Sequence, residues 1–173
     1  GYVVLCNAVK EDLLRIKPGA LCKEIPHPIY AQFGEKLSKE SACNLIGANP
    51  NLKTLLFFGL IREYKGLDIL LRAFNTLGSN YQLVIAGEPY GSFDKYAKLI
   101  EESPNRERII LNTNYIKDSE VNRYFSAADL CVLPYRSATQ SGISNISFFY
   151  NLPLLTTNVG GLKEMIADKG LGV

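Results

Sequence analysis

Small polar residues form a loop directly ahead of a predicted helix in the last third of the sequence. The loop runs from Ser137 to Ser141, and Gly142 opens the helix. The first turn of a helix carries backbone N–H groups without intrahelical partners, together with the positive end of the helix dipole. Such a helix start suits a phosphate group. The same pattern is also typical of an ordinary βαβ unit, so the loop alone leaves both interpretations open.

Two basic residues, Arg62 and Lys65, follow an earlier apolar run at Leu55–Phe58. Their loop begins at Gly59 and ends at Gly66, where a second helix pattern starts. Two cations facing a helix start would suit a diphosphate, because they add charge-assisted hydrogen bonds to the backbone donors. The alternative is that both are solvated loop cations, as most Lys and Arg side chains are.

The elements that must position these loops alternate between strand and helix patterns. The predicted strands of this part of the chain are Leu55–Phe58, Leu83–Ala86, Arg108–Leu111, Leu130–Leu133 and Leu154–Thr157. Between them, apolar residues recur at helical spacing. This rhythm predicts an α/β fold with a doubly wound, Rossmann-like parallel sheet. In such a sheet ligands bind beyond the carboxyl ends of the strands, where both loops would lie.

The helix that opens at Gly142 has an apolar face. Four residues share it at helical spacing: Ile143, Ile146, Phe149 and Tyr150. We expect this face to meet the core and to leave Ser144, Asn145 and Ser147 on other faces. Asn151 follows this helix, at the position where a residue that tolerates the left-handed conformation is favoured.

The first fifty residues are predicted as a segment between domains, and residues 51–173 as the core of a single domain. A strand at Tyr2–Cys6, a helix ending near Ile16, a strand at Leu21–Ile25 and a helix at Lys39–Ile46 are expected here. Prolines flank His27, so the intervening segment is predicted to be extended, and a structural role of His27 is favoured over a catalytic one.

Composition excludes several classes of function. The 173 residues are 47% hydrophobic and 21% charged with a net charge of +2, which gives no reason to expect nucleic acid as a partner. No run resembles a transmembrane helix or a signal peptide. The four cysteines, Cys6, Cys22, Cys43 and Cys131, are far apart and are expected to be buried free thiols. One histidine cannot form a two-histidine zinc site, and no metal site is predicted.

Two nucleotide motifs are absent. The segment Gly47–Thr54 has the outer residues of a P-loop, but Leu52 stands where the second glycine is required, and the segment precedes a strand. No G-x-G-x-x-G follows the first strand. The chain begins inside a strand-like run without Met and ends at KGLGV, where a further strand is predicted, so we expect a piece of a longer protein, although processing could produce the same start.

Four blocks of sequence resemble a known family when taken together. They are LLFFGLIREYKGLDILLRAF, LVIAGEP, AADLCVLPYRSATQSG and NLPLLTTNVGGLKEMI. In this order they resemble the nucleotide-sugar-binding C-terminal domain of family-4 (group 1) retaining glycosyltransferases, which have the GT-B fold. The segment IPHPIY is similar to the part of the family in which the chain crosses into the second domain.

The resemblance implies roles for particular residues. Lys65 matches a family lysine that contacts the donor diphosphate. The family arginine would fall at Leu60, so Arg62 is its implied substitute. The segment that binds the base would fall at Tyr115–Ile116. Two family glutamates would fall at Ala138 and Ile146, where both carboxylates are missing.

The missing carboxylates leave two alternatives open. Either neutral groups such as Thr139, Gln140 and Asn145 hold the sugar, or donor use has been reduced or lost. The donor-binding residues that the resemblance implies are Gly59, Tyr115, Ile116, Thr139, Gln140, Ser141, Gly142, Ile143 and Asn145.

The activity implied is transfer of a hexose-type sugar from a nucleoside diphosphate (NDP) sugar to a glycan or lipid-linked acceptor, as in polysaccharide biosynthesis. Arg62, Lys65 and the helix start would stabilise the leaving diphosphate without a metal or another cofactor. The acceptor would bind the missing N-terminal domain, so this piece alone is expected to be inactive. The expected location is the cytoplasm, with the inner membrane face as an alternative for the full-length protein.

Two other classes of protein remain open. A GT-B sugar-nucleotide epimerase would be expected to have more acidic and histidine residues in these loops. A non-catalytic nucleotide-binding or assembly module is compatible with the missing glutamates. The sequence does not select among UDP, GDP and ADP.

Overall fold

A computed structural model describes residues 1–166 and residue 170. In chain order its elements are β1 (Tyr2–Val4), α1 (Asn7–Ile16), β2 (Cys22–Glu24), α2 (Lys39–Ile46), β3 (Lys53–Phe58), α3 (Leu67–Phe74), β4 (Tyr81–Ala86), α4 (Asp94–Glu101), β5 (Ile109–Asn112), α5 (Asp118–Ala127), β6 (Leu130–Leu133), α6 (Gly142–Phe149), β7 (Leu154–Thr156) and α7 (Gly160–Ile166). Short 3-10 turns at Glu63–Lys65 and Arg106–Arg108 precede α3 and β5.

The main sheet contains five parallel strands in the order β5-β4-β3-β6-β7. The side chains of β3 and β4 are buried on both alternations because helices cover both faces of the sheet. One apolar cluster lies on each face, around Phe125 and Tyr150 on one side and around Phe74 and Leu71 on the other. The predicted Rossmann-like α/β class is confirmed.

The direction in which strands are added reverses between β3 and β6. From β3 the chain adds β4 and β5 on one side, and it then returns to add β6 and β7 on the other. A crevice forms at such a reversal because the loops after the two central strands lead away from each other. The loops carrying Lys65 and Ser141 follow these two strands, so the topology places them at the same point.

The predicted face of α6 meets the core, because Ile146 and Tyr150 are buried in it and Ile143 and Phe149 pack against it. What was not predicted is that the opposite face is buried as well. Ser144 and Ser147 are fully buried and Asn145 is 7% exposed, whereas Ile143 and Phe149 are only half-buried. The cause is a contact on the other side of the helix, where α7 packs closely and the Ser144 hydroxyl donates to the Ser141 carbonyl and to the Met165 sulfur.

Several local predictions are confirmed. Asn151 ends the turn after α6 with a φ of 51°. Ser38 caps α2 by accepting a hydrogen bond from the Ser41 N–H group at 3.2 Å. All four cysteines are free; three of them are buried and Cys22 is half-buried. The predicted strand at KGLGV lies outside the described residues.

Strands β1 and β2 form a separate two-stranded parallel sheet. The first strand ends at Val4, so Cys6 lies before α1 and not inside a strand as predicted. The carboxylate of Glu164 on α7 accepts hydrogen bonds from the N–H groups of Asn7 and Ala8, each at 2.8 Å. Glu164 therefore caps α1, where the helix dipole favours a negative charge.

Candidate functional site

Two glycines bring the loops at the carboxyl end of the sheet into close backbone contact. Gly66 has a φ of 69°, and a Cβ there would overlap the carbonyl oxygen of Pro134 after β6. Gly87 follows β4, and a Cβ there would overlap the carbonyl oxygen of Gly59. Any larger residue would separate these loops, so the glycines set the shape of the crevice.

Lys65 ends the 3-10 turn before α3 and is 8% exposed. Its ammonium nitrogen is 3.4 Å from the point where a Cβ of Gly59 would stand, and the Ile143 side chain is 3.2 Å from that point. The 3-10 turn thus directs Lys65 towards the first turn of α6. The ammonium has no ion pair or hydrogen bond with any residue that the structure describes.

Burial, and to a smaller extent the nearby positive charge of Arg62, together lower the pKa of Lys65 to about 8. The ring of Tyr135 offers the ammonium a weak partner, with its centroid 5.8 Å away. A buried charge without a counter-ion is unfavourable, and a bound anion would remove this deficit.

The start of α6 faces the same crevice. Ser141 precedes the helix but its side chain does not cap it. Within residues 1–166 and 170, the N–H groups of Gly142 and Ile143 have no hydrogen-bond acceptor. Tyr30 lies against Gly142, 3.3 Å from the point where a Cβ would stand. The start of α6 therefore presents two N–H groups without acceptors, near Lys65 and next to the Tyr30 ring.

Arg62 lies at the exposed rim of the crevice. Its guanidinium carbon is 4.3 Å from the centre of the Tyr90 ring, a stacking distance. The described residues place no carboxylate within ion-pair distance of Arg62. Its charge is therefore available to a ligand that enters from solvent.

Arg136, which the sequence reasoning missed, ties the loop of β6 to the turn that carries Lys65. Its guanidinium donates to both carboxylate oxygens of Asp68 at 3.0 and 2.7 Å and to the Glu63 carbonyl at 2.8 Å. Its backbone N–H group donates to the Tyr64 carbonyl at 2.7 Å. The hydrogen bonds from the Arg136 guanidinium to its carboxylate hold the pKa of Asp68 below its ordinary value. A basic residue just after β6 was the available signal, but its partner is distant in sequence.

A first cavity of about 270 Å³ opens beside the crevice and is lined by Gly59, Tyr115, Ile116 and Ile146 among others. The structure thus brings together Gly59 and the segment predicted to bind a base. Tyr115 is 67% exposed, whereas Ile146 is buried and gives this cavity an apolar wall where the family resemblance placed a glutamate. A flat aromatic base suits such a cavity.

A second cavity of about 220 Å³ lies on the other side of the α6 start. Gln140, Ser141 and Asn145 line it, together with Glu24 and His27 from the segment after β1. The predicted site residues therefore do not form one cluster, because those on the 137–142 loop and α6 divide between two sides.

Thr139 lies in neither of these cavities. It lines a shallow depression with Gln140, Ala138 and Gly160. Its carbonyl accepts a hydrogen bond from the Cys6 thiol at 3.0 Å. Gly160 and Gly161 pack so closely that a Cβ on either would overlap the carbonyl oxygens of Ala138 and Thr139. This packing holds the loop in position.

Two findings concern the described part of the chain as a whole. In residues 1–166 and 170, no group of three or more His, Cys, Asp or Glu side chains could hold a metal ion. No helix in the same part of the chain has the length and apolar character needed to span a membrane.

Comparison with known proteins identifies the family. The family described as "Glycosyl transferases group 1" matches residues 52–173. This chain therefore belongs to the group 1 glycosyltransferase family. A D-inositol 3-phosphate glycosyltransferase of Corynebacterium urealyticum is 25% identical over 148 residues, which are 81% of this chain and 35% of that protein. The chain thus spans about a third of the length of the curated relatives it matches first.

Solved structures show the same fold. The glycosyltransferase WaaG, involved in lipopolysaccharide biosynthesis, has a TM-score of 0.83 at 22% identity, and the match covers 99% of this chain and 48% of WaaG. HepE from Anabaena in complex with UDP-glucose has a TM-score of 0.80 at 16% identity, covering 95% of this chain and 46% of HepE. The chain therefore has the fold of one half of a GT-B glycosyltransferase.

Proposed function

We propose that this chain is the donor-binding domain of a retaining glycosyltransferase and binds the diphosphate of an NDP-sugar between Lys65 and the start of α6. The observation that carries this proposal is the ammonium of Lys65, a residue only 8% exposed, which no described residue pairs. The unpartnered N–H groups of Gly142 and Ile143 beside it add donors suited to phosphate oxygens. Family membership and the UDP-glucose bound to HepE support the ligand class.

The charges of the crevice suit the departure of a nucleoside diphosphate. When the bond between the sugar and the diphosphate breaks, negative charge develops on the leaving phosphate oxygen. Lys65, Arg62 and the two N–H groups of α6 would stabilise that charge without reorganising, which is the main electrostatic contribution an enzyme can make. The proposal includes no metal ion.

The nucleoside would enter the first cavity. Its base would lie against Tyr115–Ile116, and its ribose would lie near Ile146. Because Ile146 offers no hydrogen bond, neutral groups must hold the donor where a carboxylate would otherwise do so.

The acceptor is proposed to be a glycan or a lipid-linked saccharide that binds outside this chain. The chain spans about a third of its curated relatives. We therefore expect it to bind nucleotide but not to transfer a hexose-type sugar by itself.

A second candidate is a non-catalytic nucleotide-binding module. It is favoured by Ala138 and Ile146, which leave the loop and α6 without a carboxylate toward the donor. Activity of the full-length protein, with and without changes in the 137–142 loop, distinguishes this module from an enzyme.

Calorimetric titration of this chain with UDP, GDP and ADP tests the proposal. We expect saturable binding of one nucleotide that is lost in Lys65→Ala. Lys98→Ala is the matched control, because Lys98 is exposed on α4 and forms a long ion pair with Glu102 at 3.8 Å. Equal binding in wild type and Lys65→Ala, or no binding of any of the three nucleotides, would contradict the proposal.

A further inference from the structure

The segment that joins β2 to α2 crosses the start of α6. Its residue His27 lines the second cavity, and its residue Phe33 lines the first. Between these two, Tyr30 lies against Gly142, with its ring 3.3 Å and its hydroxyl oxygen 3.9 Å from the point where a Cβ of Gly142 would stand. The segment therefore brings an aromatic hydroxyl to the place where the diphosphate is proposed to bind.

Both ends of this segment are anchored, but its middle is not. At the beginning the Ile25 N–H group donates to the Val4 carbonyl at 2.9 Å, and near the end the Tyr150 hydroxyl donates to the Phe33 carbonyl at 3.1 Å. The backbone of residues 26–32 makes no hydrogen bond with any residue that the structure describes. Tyr30 can therefore adjust its position to a ligand while both ends of the segment stay fixed.

The Tyr30 hydroxyl has a described partner in His27. Its oxygen is 2.8 Å from Nδ1 of the imidazole and 3.3 Å from Nε2. A phenol has one proton to donate and lone pairs to accept with, and a neutral imidazole donates from one nitrogen only. When Nδ1 carries the proton, His27 donates to the Tyr30 oxygen, and the Tyr30 O–H group is left to donate to a ligand.

Tyr30 and Lys65 approach the first turn of α6 from different residues of that turn. Tyr30 lies beside Gly142, whereas the Lys65 ammonium and the Ile143 side chain both approach Gly59. The N–H groups of Gly142 and Ile143 have no acceptor among the described residues. Phosphate oxygens bound to these N–H groups would keep lone pairs for further donors, and hydrogen bonds to a charged acceptor are the stronger ones.

We propose that Tyr30 is a phosphate-binding residue, whose hydroxyl donates to the diphosphate at the start of α6, and that His27 positions this hydroxyl. The inference rests on the proposed function, from which it takes the diphosphate. Both hydrogen bonds run in one direction, from Nδ1–H of His27 to the Tyr30 oxygen and from the Tyr30 O–H group to a phosphate oxygen. Hydrogen bonds in such a chain strengthen one another.

Calorimetric titration of this chain with UDP, GDP and ADP tests the role of Tyr30. Tyr30→Phe keeps the ring and removes only the hydroxyl, so affinity for the nucleotide that wild type binds should fall about tenfold. Tyr81→Phe, which removes a hydroxyl at the amino end of β4, is the matched control and should bind as wild type does.

The outcomes separate this inference from the proposed function. If Lys65→Ala loses binding but Tyr30→Phe binds as tightly as wild type, the role of Tyr30 is overturned and the diphosphate site stands. If wild type binds none of the three nucleotides, the diphosphate site is contradicted, and the role of Tyr30 falls with it.

Variants of His27 test whether it acts through Tyr30. His27→Leu should weaken nucleotide binding about as much as Tyr30→Phe, and the double variant should show no further loss, because both changes remove the same hydrogen bond. His27→Asn offers an amide N–H group in place of Nδ1–H and should bind within about twofold of wild type. A further loss in the double variant, or equal losses in His27→Asn and His27→Leu, would overturn the positioning role of His27.

Discussion

The polar groups at the two ends of the main sheet differ in whether they have partners. At the amino end, Asp129 accepts hydrogen bonds from the Thr54 N–H group at 2.8 Å and from the Lys39 ammonium at 2.7 Å. The Gln82 carboxamide donates to the Asn49 carbonyl at 2.7 Å and to the Thr54 hydroxyl at 2.8 Å, and accepts from the Asn49 N–H group at 3.0 Å. These groups satisfy one another.

At the carboxyl end, Lys65 is more than nine-tenths buried, and its ammonium makes no ion pair or hydrogen bond with any described residue. Arg136 and Asp68, close by, are fully paired and hold the loops together. The difference shows which polar groups serve the fold and which are available to a ligand. Substitutions at the two ends should therefore change different properties.

The largest effect is expected from Lys65→Met. It removes the charge-assisted hydrogen bonds to the diphosphate and should lower nucleotide affinity about 100-fold. It should also raise the free energy of unfolding by up to about 3 kcal/mol near neutral pH, because a buried ammonium with a lowered pKa is unfavourable. Calorimetry and urea unfolding measure the two quantities. A destabilised Lys65→Met would show that the side chain serves the fold.

Asp129→Ala should have the opposite profile. It leaves the Thr54 N–H group without its acceptor and the Lys39 ammonium with the Leu52 carbonyl instead of a carboxylate, and should lower the free energy of unfolding by about 2 kcal/mol. Nucleotide affinity should stay unchanged, since the substitution lies at the other end of the sheet. Asp12→Ala, at an exposed pair with Arg15, is the control for urea unfolding. A loss of affinity in Asp129→Ala would remove the contrast between the two ends.

Arg136→Ala should affect both properties to a smaller degree. It leaves the Asp68 carboxylate, which is 6% exposed, without its partner, at a cost of about 1–2 kcal/mol in stability. Freeing the turn that carries Lys65 should weaken nucleotide binding about fivefold. The stability difference should shrink as the pH falls through the lowered pKa of Asp68, because protonation ends the pairing in wild type. Arg72→Ala, at an exposed position on α3, should change neither property.

Affinity and stability should also depend on pH. With a pKa of about 8, Lys65 is charged below that pH, so affinity should be constant there and fall by up to about tenfold per pH unit above it. The free energy of unfolding should instead rise with pH over this range. From about pH 8 to the ordinary value of 10.5 the unfolded chain binds more protons than the folded chain, so wild type gains stability. Urea unfolding of wild type and Lys65→Met at several pH values in this range measures the difference in stability. The prediction is wrong if the free energies of unfolding of the two proteins change with pH in the same way.

The sequence predicted the fold because parallel strands and their helices leave regular apolar patterns. The strands at Leu55–Phe58 and Leu130–Leu133 and the loops after them lie where the patterns placed them. Their common location at one sheet edge followed from parallel topology alone. The site was predictable to this extent, with Lys65 and the α6 start on neighbouring loops.

Only the tertiary structure decided which polar groups are free. Whether Lys65 has a counter-ion depends on residues far along the chain, and so does the pairing of Arg136 with Asp68 across 68 positions. The burial of Asn145 depends on α7 and on the segment after β1, which no periodicity within α6 records. Local patterns report which face of an element is apolar; a site depends on which elements meet, and long-range packing settles that.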